Sequence, residues 1–305
     1  MSGNAPALLV MCALMLSGGR AMAASDAVQD LASLRAYAET LRTLGTVDVR
    51  WEMRQSIPGK ICPIHYFHDL TAANGRWRSE EKTVDPGRNN LLISKVVFSF
   101  DGRRLYVLDA MDRSMLITEG PKAKLKMADS PLVLPLYAIS STWGAFGMDR
   151  LAFNFMDDSD GAAAFTAMST SCTLVAGQPN SLLVIRPAKQ DPDMSQYITL
   201  AFEHGLVTGI ADTLVNRDSG FDLGQQWIKN SSLVYADVPT VTGQMVHLCT
   251  GASMNIIHLT TNSYVTLTLK IDKLTIGKPI DDDAFELSTT LADTVYYGQR
   301  GAPAK

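Results

Sequence analysis

The side chains best suited to chemistry in this chain are its clustered acids and its histidines, and each cluster falls short of a working site. His65 and His68 stand three apart in a segment that reads as a strand. That spacing sends the two rings to opposite faces, where they cannot easily share a metal ion. A partly exposed edge-strand role suits them better. Asp157-Asp158-Ser159-Asp160-Gly161 has the look of a calcium loop. Setting Asp160-Gly161 at the fifth and sixth positions puts Met156 first and Ala167 twelfth, so the first and last ligands are missing. A solvated turn accounts for it. Asp281-Asp282-Asp283 offers paired carboxylates without a partner for them in a cleft, and reads as a turn in which Asp283 caps a short helical turn around Phe285.

Lys122, Lys124 and Lys126 would gain roughly 1 kcal/mol each at an anionic lipid surface. Three lysines make a solvated loop more readily than a membrane patch, so at most a transient contact with a membrane surface is expected. The chain has no G-x-S-x-G, H-E-x-x-H, phosphate loop or C-x-x-C. An enzyme would need Asp157, Asp160 or His204 gathered around a polar cleft. The expectation is therefore a non-catalytic protein with no cofactor and no metal site.

Composition points the same way. The chain of 305 residues is 46% hydrophobic and 19% charged, enough for a substantial core. Its net charge of −4 gives no basic face for a nucleic acid, which is not expected as a partner.

Residues 1–24 read as a signal peptide. Ala5–Leu16 is too short to span a bilayer as a helix, and small residues lead to Ala21-Met22-Ala23-Ala24, an A-x-A cleavage pattern. Met1–Asn4 lacks the usual Lys or Arg. Cys12 sits inside the apolar run, without the small residues that precede a lipidated cysteine. In an exported chain the remaining thiols, Cys62, Cys172 and Cys249, allow one disulfide and one free cysteine. Buried apolar thiols are the equal alternative.

The elements that would position any site follow from periodicity. Ser25–Leu44 predicts a helix with Leu31, Leu34, Ala38 and Leu41 on one stripe, ended by Gly45. Val47, Val49, Trp51 and Met53 then alternate with Asp48, Arg50, Glu52 and Arg54, a half-buried strand. Further strands are expected at 61–68, 75–84, 92–100, 104–108 and 114–118, with Asp101-Gly102 as a hairpin turn. Leu132–Gly147 is apolar nearly all round, and reads as a buried helix that Pro135 distorts or shortens. Ser181–Gly220 reads as an antiparallel meander turning at His204-Gly205. Strands follow at 226–236, 244–248, 254–259 and 263–271, where Val265, Leu267, Leu269 and Ile271 share a face. The segment 281–297 returns to the body through Phe285, Leu287 and Val295.

The fold expected is α+β: one large, strongly curved antiparallel sheet, an incomplete barrel, with helices covering or plugging its concave face. Residues 25–298 would form one domain and 299–305 a flexible tail. Val49, Trp51, Met53, Leu105, Val107, Leu134, Trp143, Val265 and Leu267 are the residues such a face would turn toward a ligand cavity, although each alone, like Trp77, is more often plain core.

The order of these elements, with FSFDGRRLYVLD, LLVIRPAKQDPDMSQYITLAFEHGLVTGI and the closing LTIGKPIDDDAFEL, resembles the LolA/LolB-like superfamily of periplasmic lipoprotein carriers. That superfamily includes RseB/MucB-type envelope sensors and uncharacterised proteins resembling outer-membrane lipoprotein-sorting proteins. The resemblance covers about residues 26–297 and rests on architectural motifs. It implies a periplasmic protein whose cavity holds a lipid or a lipoprotein acyl chain, or else a sensor module that binds another envelope protein. The chain departs from the carriers in its extra length, mainly at 120–172 and 220–263, which puts lipoprotein transport itself in doubt.

Overall fold

The structure is a computed structural model and describes residues 24–72, 75–119, 130–136, 172–174, 181–188, 191–216, 222–228, 230–258 and 263–299. It opens with helix α1 (Ala24–Thr43). Gly45, at φ +73°, ends it in the left-handed conformation that a glycine adopts without strain. Leu34, Tyr37, Ala38 and Leu41 lie on one buried stripe. Then come β1 (Val47–Ser56), β2 (Ile64–Thr71), β3 (Trp77–Asp85), β4 (Leu91–Phe100), β5 (Arg104–Asp109) and β6 (Ser114–Glu119), the strands that alternation predicts.

Nine strands of the second half, among the described residues, divide between two sheets. β7 (Cys172–Leu174), β8 (Ser181–Ala188), β9 (Asp191–Glu203), β10 (Leu206–Asn216) and β11 (Asp222–Ile228) form a five-stranded sheet of their own. β12 (Asn230–Pro239), β13 (Met245–His258), β14 (Ser263–Ile276) and the terminal β15 (Thr294–Gln299) join β1–β6. The larger sheet runs β12-β13-β14-β1-β2-β3-β4-β5-β6-β15, with β12 and β15 as its edges, so it is not closed into a barrel.

Three expectations need correction. The single antiparallel sheet is two sheets, and the larger is mixed, because β15 runs parallel to β6. The chain reaches β15 by crossing over the sheet through two 3-10 turns, Asp282–Phe285 and Thr289–Leu291, rather than by a hairpin, and a crossover permits a parallel pair. The run 226–236 is two strands in different sheets, β11 and β12, whereas 244–248 and 254–259 belong to the one long strand β13. The expected helix at Leu132–Gly147 is, where described, a 3-10 turn at Pro131–Leu136. Pro135 can neither donate to an α-helical hydrogen bond nor fit beside the preceding turn, so the α-helix does not propagate through it. Residues 137–147 lie outside the described residues.

Pro131–Leu136 is buried along its whole length. It belongs to the main core with the stripe of α1, with Val47, Val49 and Trp51 of β1, with Leu267 and Leu269 of β14, and with Ile198, Leu200 and Ile210 of the smaller sheet. Tyr37 ties α1 to the 3-10 turn and to β13: its hydroxyl donates to Leu132 O at 2.8 Å and accepts from Cys249 N at 3.0 Å. The hairpin turn His204-Gly205 has positive φ at both residues, 51° and 77°, as a two-residue turn of this twist requires. It seats against α1, where a β-carbon at Gly205 would come within 3.1 Å of Ser33 Oγ. The meander is therefore a separate layer of the core and not the middle of the larger sheet.

Candidate functional site

Register decides which side chains share a face of the larger sheet. Directly paired residues point the same way, so Val49 opposes Asp69, then Ser79, Phe98, Val107 and Leu116. Trp51 opposes Phe67 on one side and Ile271 on the other, and Met53 opposes Leu269. Phe100 opposes Leu105. Leu267 and Val265 alternate with Leu269 along β14 and so lie on this side as well. Val49, Trp51, Met53, Leu105, Val107, Val265 and Leu267 thus all lie on one face.

That face has two halves. Toward β13 and β14 it is closed: Val49 and Leu267 are fully buried and Trp51 nearly so, in one core with the stripe of α1 and with Leu134 of the 3-10 turn. Met53 packs at the margin of this core. Toward β4–β6 the face is only half-covered. Phe98 and Leu105 pack against the pair Trp77 and Phe100, Val107 is half-buried, and Leu116 is 40% exposed. Between the halves lies a polar patch of Thr71, Asp69 and Ser79, all buried. The Trp51 indole N–H donates to Asp69 Oδ2 at 2.8 Å. Trp143 lies outside the described residues.

The opposite face is built differently. From β14 to β4 it is a ladder of charges facing solvent: His68 Nε2 lies 2.8 Å from Asp48 Oδ1, Lys273 reaches the same carboxylate, and Lys95 pairs with Glu80 at 2.9 Å. Burial acts to raise the Glu80 carboxyl, and Lys95, Arg78 and His68 together outweigh it and hold the carboxyl below its ordinary value. From β4 to β6 the same face is covered by residues 282–291. Phe285 and Leu287 are buried there, Leu287 beside Val97, Tyr106, Leu108, Met115 and Ile117. Ser99 Oγ donates to Phe285 O at 2.6 Å. Asp281 precedes the turn without a side-chain capping bond, and Asp283 falls inside it, so the expected capping role of Asp283 is not made.

Beside this cover is a cavity of about 770 Å³. Its floor is Arg104, Tyr106, Ile117, Glu119 and Tyr297, and its wall runs from Asp283 to Thr289. None of the residues expected to line a ligand cavity borders it. Sequence reading missed it because it exists only through the parallel pairing of β15 with β6, which no local pattern signals. Tyr37 was missed too, yet it stands on the Leu34–Leu41 stripe, where an aromatic flanked by leucines was open to notice.

The other candidates for chemistry do not converge. His65 and His68 lie on opposite faces, since His65 opposes Met53 and His68 opposes Arg50. His65 is paired with Thr83 Oγ1 at 3.0 Å, and burial lowers its pKa. His204 is exposed at its turn. Asp157, Asp160 and the lysines 122–126 lie outside the described residues. Among the described residues no three His, Cys, Asp or Glu side chains gather as a metal site would need. Cys62 and Cys249 are both free thiols, so neither forms the disulfide that three cysteines allowed. Burial pushes the Cys249 thiol up to about 12. Among the described residues no helix is long and apolar enough to cross a membrane.

Comparison with known proteins gives no match to a family model and no match to a curated protein. Solved structures do match. A LolA superfamily protein from Nitrosomonas europaea is 12% identical, with a TM-score of 0.34 over 83% of this chain and 97% of that one. A domain named for outer membrane lipoprotein sorting, from Vibrio parahaemolyticus, is 11% identical, with a TM-score of 0.40 over 85% of this chain and 97% of its own. A DUF1329 family protein from Desulfovibrio piger is 10% identical, with a TM-score of 0.37 over 84% and 95%. The superfamily that the sequence motifs resemble is thus among the solved structures this chain is similar to.

Proposed function

We propose that this is an exported, periplasmic protein that binds a hydrophobic ligand, a lipid or a lipoprotein acyl chain, without catalysis. The observation that carries the reading is the single apolar face shared by Val49, Trp51, Met53, Leu105, Val107, Val265 and Leu267, with one half closed and the other half-covered. An acyl chain laid on Phe98, Leu105, Val107 and Leu116 would gain about 0.8 kcal/mol for each methylene it buries. No reacting group is needed for that.

The 3-10 turn Pro131–Leu136 is the natural plug. It is wholly apolar and buried against the closed half, and the Tyr37 hydroxyl holds it at Leu132. Its withdrawal would extend the open half toward Val49 and Leu267. The A-x-A pattern supports export of a mature chain from about residue 25, folded as one domain to about residue 298.

Native mass spectrometry of the protein purified from the periplasm of an expressing bacterium tests the reading. Co-purified lipid that leaves on mild activation supports it. A chain that is ligand-free, and that takes up no lipid on incubation with a total lipid extract, overturns it.

A second reading, an interaction module for another envelope protein, is favoured by one feature. Tyr296 and Tyr297 are both exposed on the edge strand β15, where an added strand from a partner would pair. Recovery of one stoichiometric partner from an envelope extract by the wild type, but not by a Tyr296→Lys, Tyr297→Lys variant, would support it.

A further inference from the structure

The cavity beside the C-terminal cover lies on the sheet face opposite the proposed lipid face, and its chemistry is different. Its floor is apolar in the middle, with Ile117 and Tyr106, and the buried Leu287 forms part of the wall. Arg104 and Glu119 line the floor beside them, and Asp283 and Glu286 stand on the covering segment. Glu119 is already engaged by Arg104 and Arg103 at 3.4 and 3.3 Å. Asp283 and Glu286 are exposed and have no cationic partner among the described residues. Tyr297, at the outer end of the floor, is also exposed.

The volume is that of a small-molecule site. With Arg104 engaged by Glu119, two carboxylates without cations, an aromatic ring and the apolar middle of the floor are complementary to one class of ligand. A cation would meet the carboxylates and the negative face of the ring, while its apolar body would cover Ile117 and Leu287. An anion would face both free acids, and a purely apolar molecule would leave them desolvated without compensation.

We propose that this cavity binds small amphiphilic cations, an amine or quaternary ammonium carried on an apolar body, at a site separate from the lipid face. The cover is fixed well enough to hold such a site. Phe285 and Leu287 anchor it in the sheet, Ser99 Oγ and Arg78 Nη1 donate to the carbonyls of Phe285 and Ala284, and the Arg76 guanidinium lies 5.2 Å over the Phe285 ring.

The test is an NMR titration of the full chain with phenethylamine, and with phenethyl alcohol as the neutral counterpart of the same shape. The amine should shift the amides of Leu287, Ser288 and Gly298 and saturate at a concentration about fivefold or more below the alcohol. The double variant Asp283→Asn, Glu286→Gln, both at exposed positions, should weaken the amine by about fivefold or more and leave the alcohol unchanged. Equal affinity for amine and alcohol overturns the proposal. So does an amine affinity that the double variant leaves intact, or the absence of shifts at those amides up to the solubility of the amine. A dansylated fatty acid bound by the double variant as by the wild type would keep this site distinct from the lipid face. Loss of both together would merge the two sites and overturn the proposal.

Discussion

Trp51 and Phe67 stack face to face across β1 and β2, their ring centroids 3.9 Å apart and their planes 9° from parallel. The pair stands where the closed half of the apolar face meets the half-covered one, and the Trp51 N–H reaches across to the buried Asp69 carboxylate. Trp51→Phe keeps an aromatic ring and removes that donor. Loss of a buried hydrogen bond to a carboxylate costs about 1–3 kcal/mol. Urea unfolding should show a loss of that size, and a change below about 0.5 kcal/mol would mean that the bond contributes little.

Tyr37→Phe tests the junction of α1, the 3-10 turn and β13. It leaves Leu132 O and Cys249 N without the hydroxyl that serves both, a loss of about 2–4 kcal/mol if both groups stay dry. If Pro131–Leu136 is a plug, the same variant should take up a dansylated fatty acid faster than the wild type in stopped-flow fluorescence. Lower stability with an unchanged uptake rate would leave Tyr37 its structural role and remove the plug.

High pH should destabilise the fold in a defined order. Burial raises the pKa of Tyr37, Tyr235 and Cys249, the last to about 12. Each group therefore holds its proton more tightly in the folded chain than in the unfolded one. Its stabilising contribution is complete below the unfolded value and is lost as pH rises through the window between the two. Cys249 enters first, from about pH 8.5, and the tyrosines from about pH 10, each at about 1.4 kcal/mol per pH unit. Urea midpoints for the wild type should fall above pH 8.5, and Cys249→Ala should flatten the curve between pH 8.5 and 10. An unaltered slope in that variant would show that the thiol does not titrate with unfolding.

Ser99→Ala should loosen the C-terminal cover selectively. Its hydroxyl donates to Phe285 O in a fully buried site, and removing it costs about 1–3 kcal/mol. Limited proteolysis should then cut within 282–291 before the strands of the sheet. Uniform digestion would show that the cover does not open on its own.

Much of this architecture can be read from period-two alternation. β1 and β3–β6 lie within a residue or two of their expected bounds: β1 buries Val47, Val49 and Trp51 and sets Asp48, Arg50, Glu52 and Arg54 on the other face, while β5 and β6 carry apolar residues on both faces and are bounded by their turns. The same alternation is why seven candidates chosen from separate strands came together on one side of the sheet. Sheet membership was beyond it. The 181–220 meander has the correct hairpin at His204-Gly205, yet nothing local in Leu200 or Ile210 says that they pack on α1 and the 3-10 turn rather than extend the larger sheet. The closing segment misled for a similar reason. Phe285 and Leu287 signal burial, but which face they cover is decided by Ser99, Arg76 and Arg78, nearly two hundred residues away or more.

The central claim is that the half-covered part of the apolar face, around Leu105, Val107 and Leu116, receives an acyl chain. Fluorescence titration of the delipidated protein with dansylated undecanoic acid tests it most directly. The wild type should bind one probe per chain with a blue-shifted emission. Val107→Asp and Leu116→Asp, at positions already partly exposed, should each weaken binding about tenfold or more while the protein stays folded by circular dichroism, and the Asp283→Asn, Glu286→Gln variant should bind as the wild type does. Absence of saturable binding, or equal binding by the wild type and by both aspartate variants, would contradict the account.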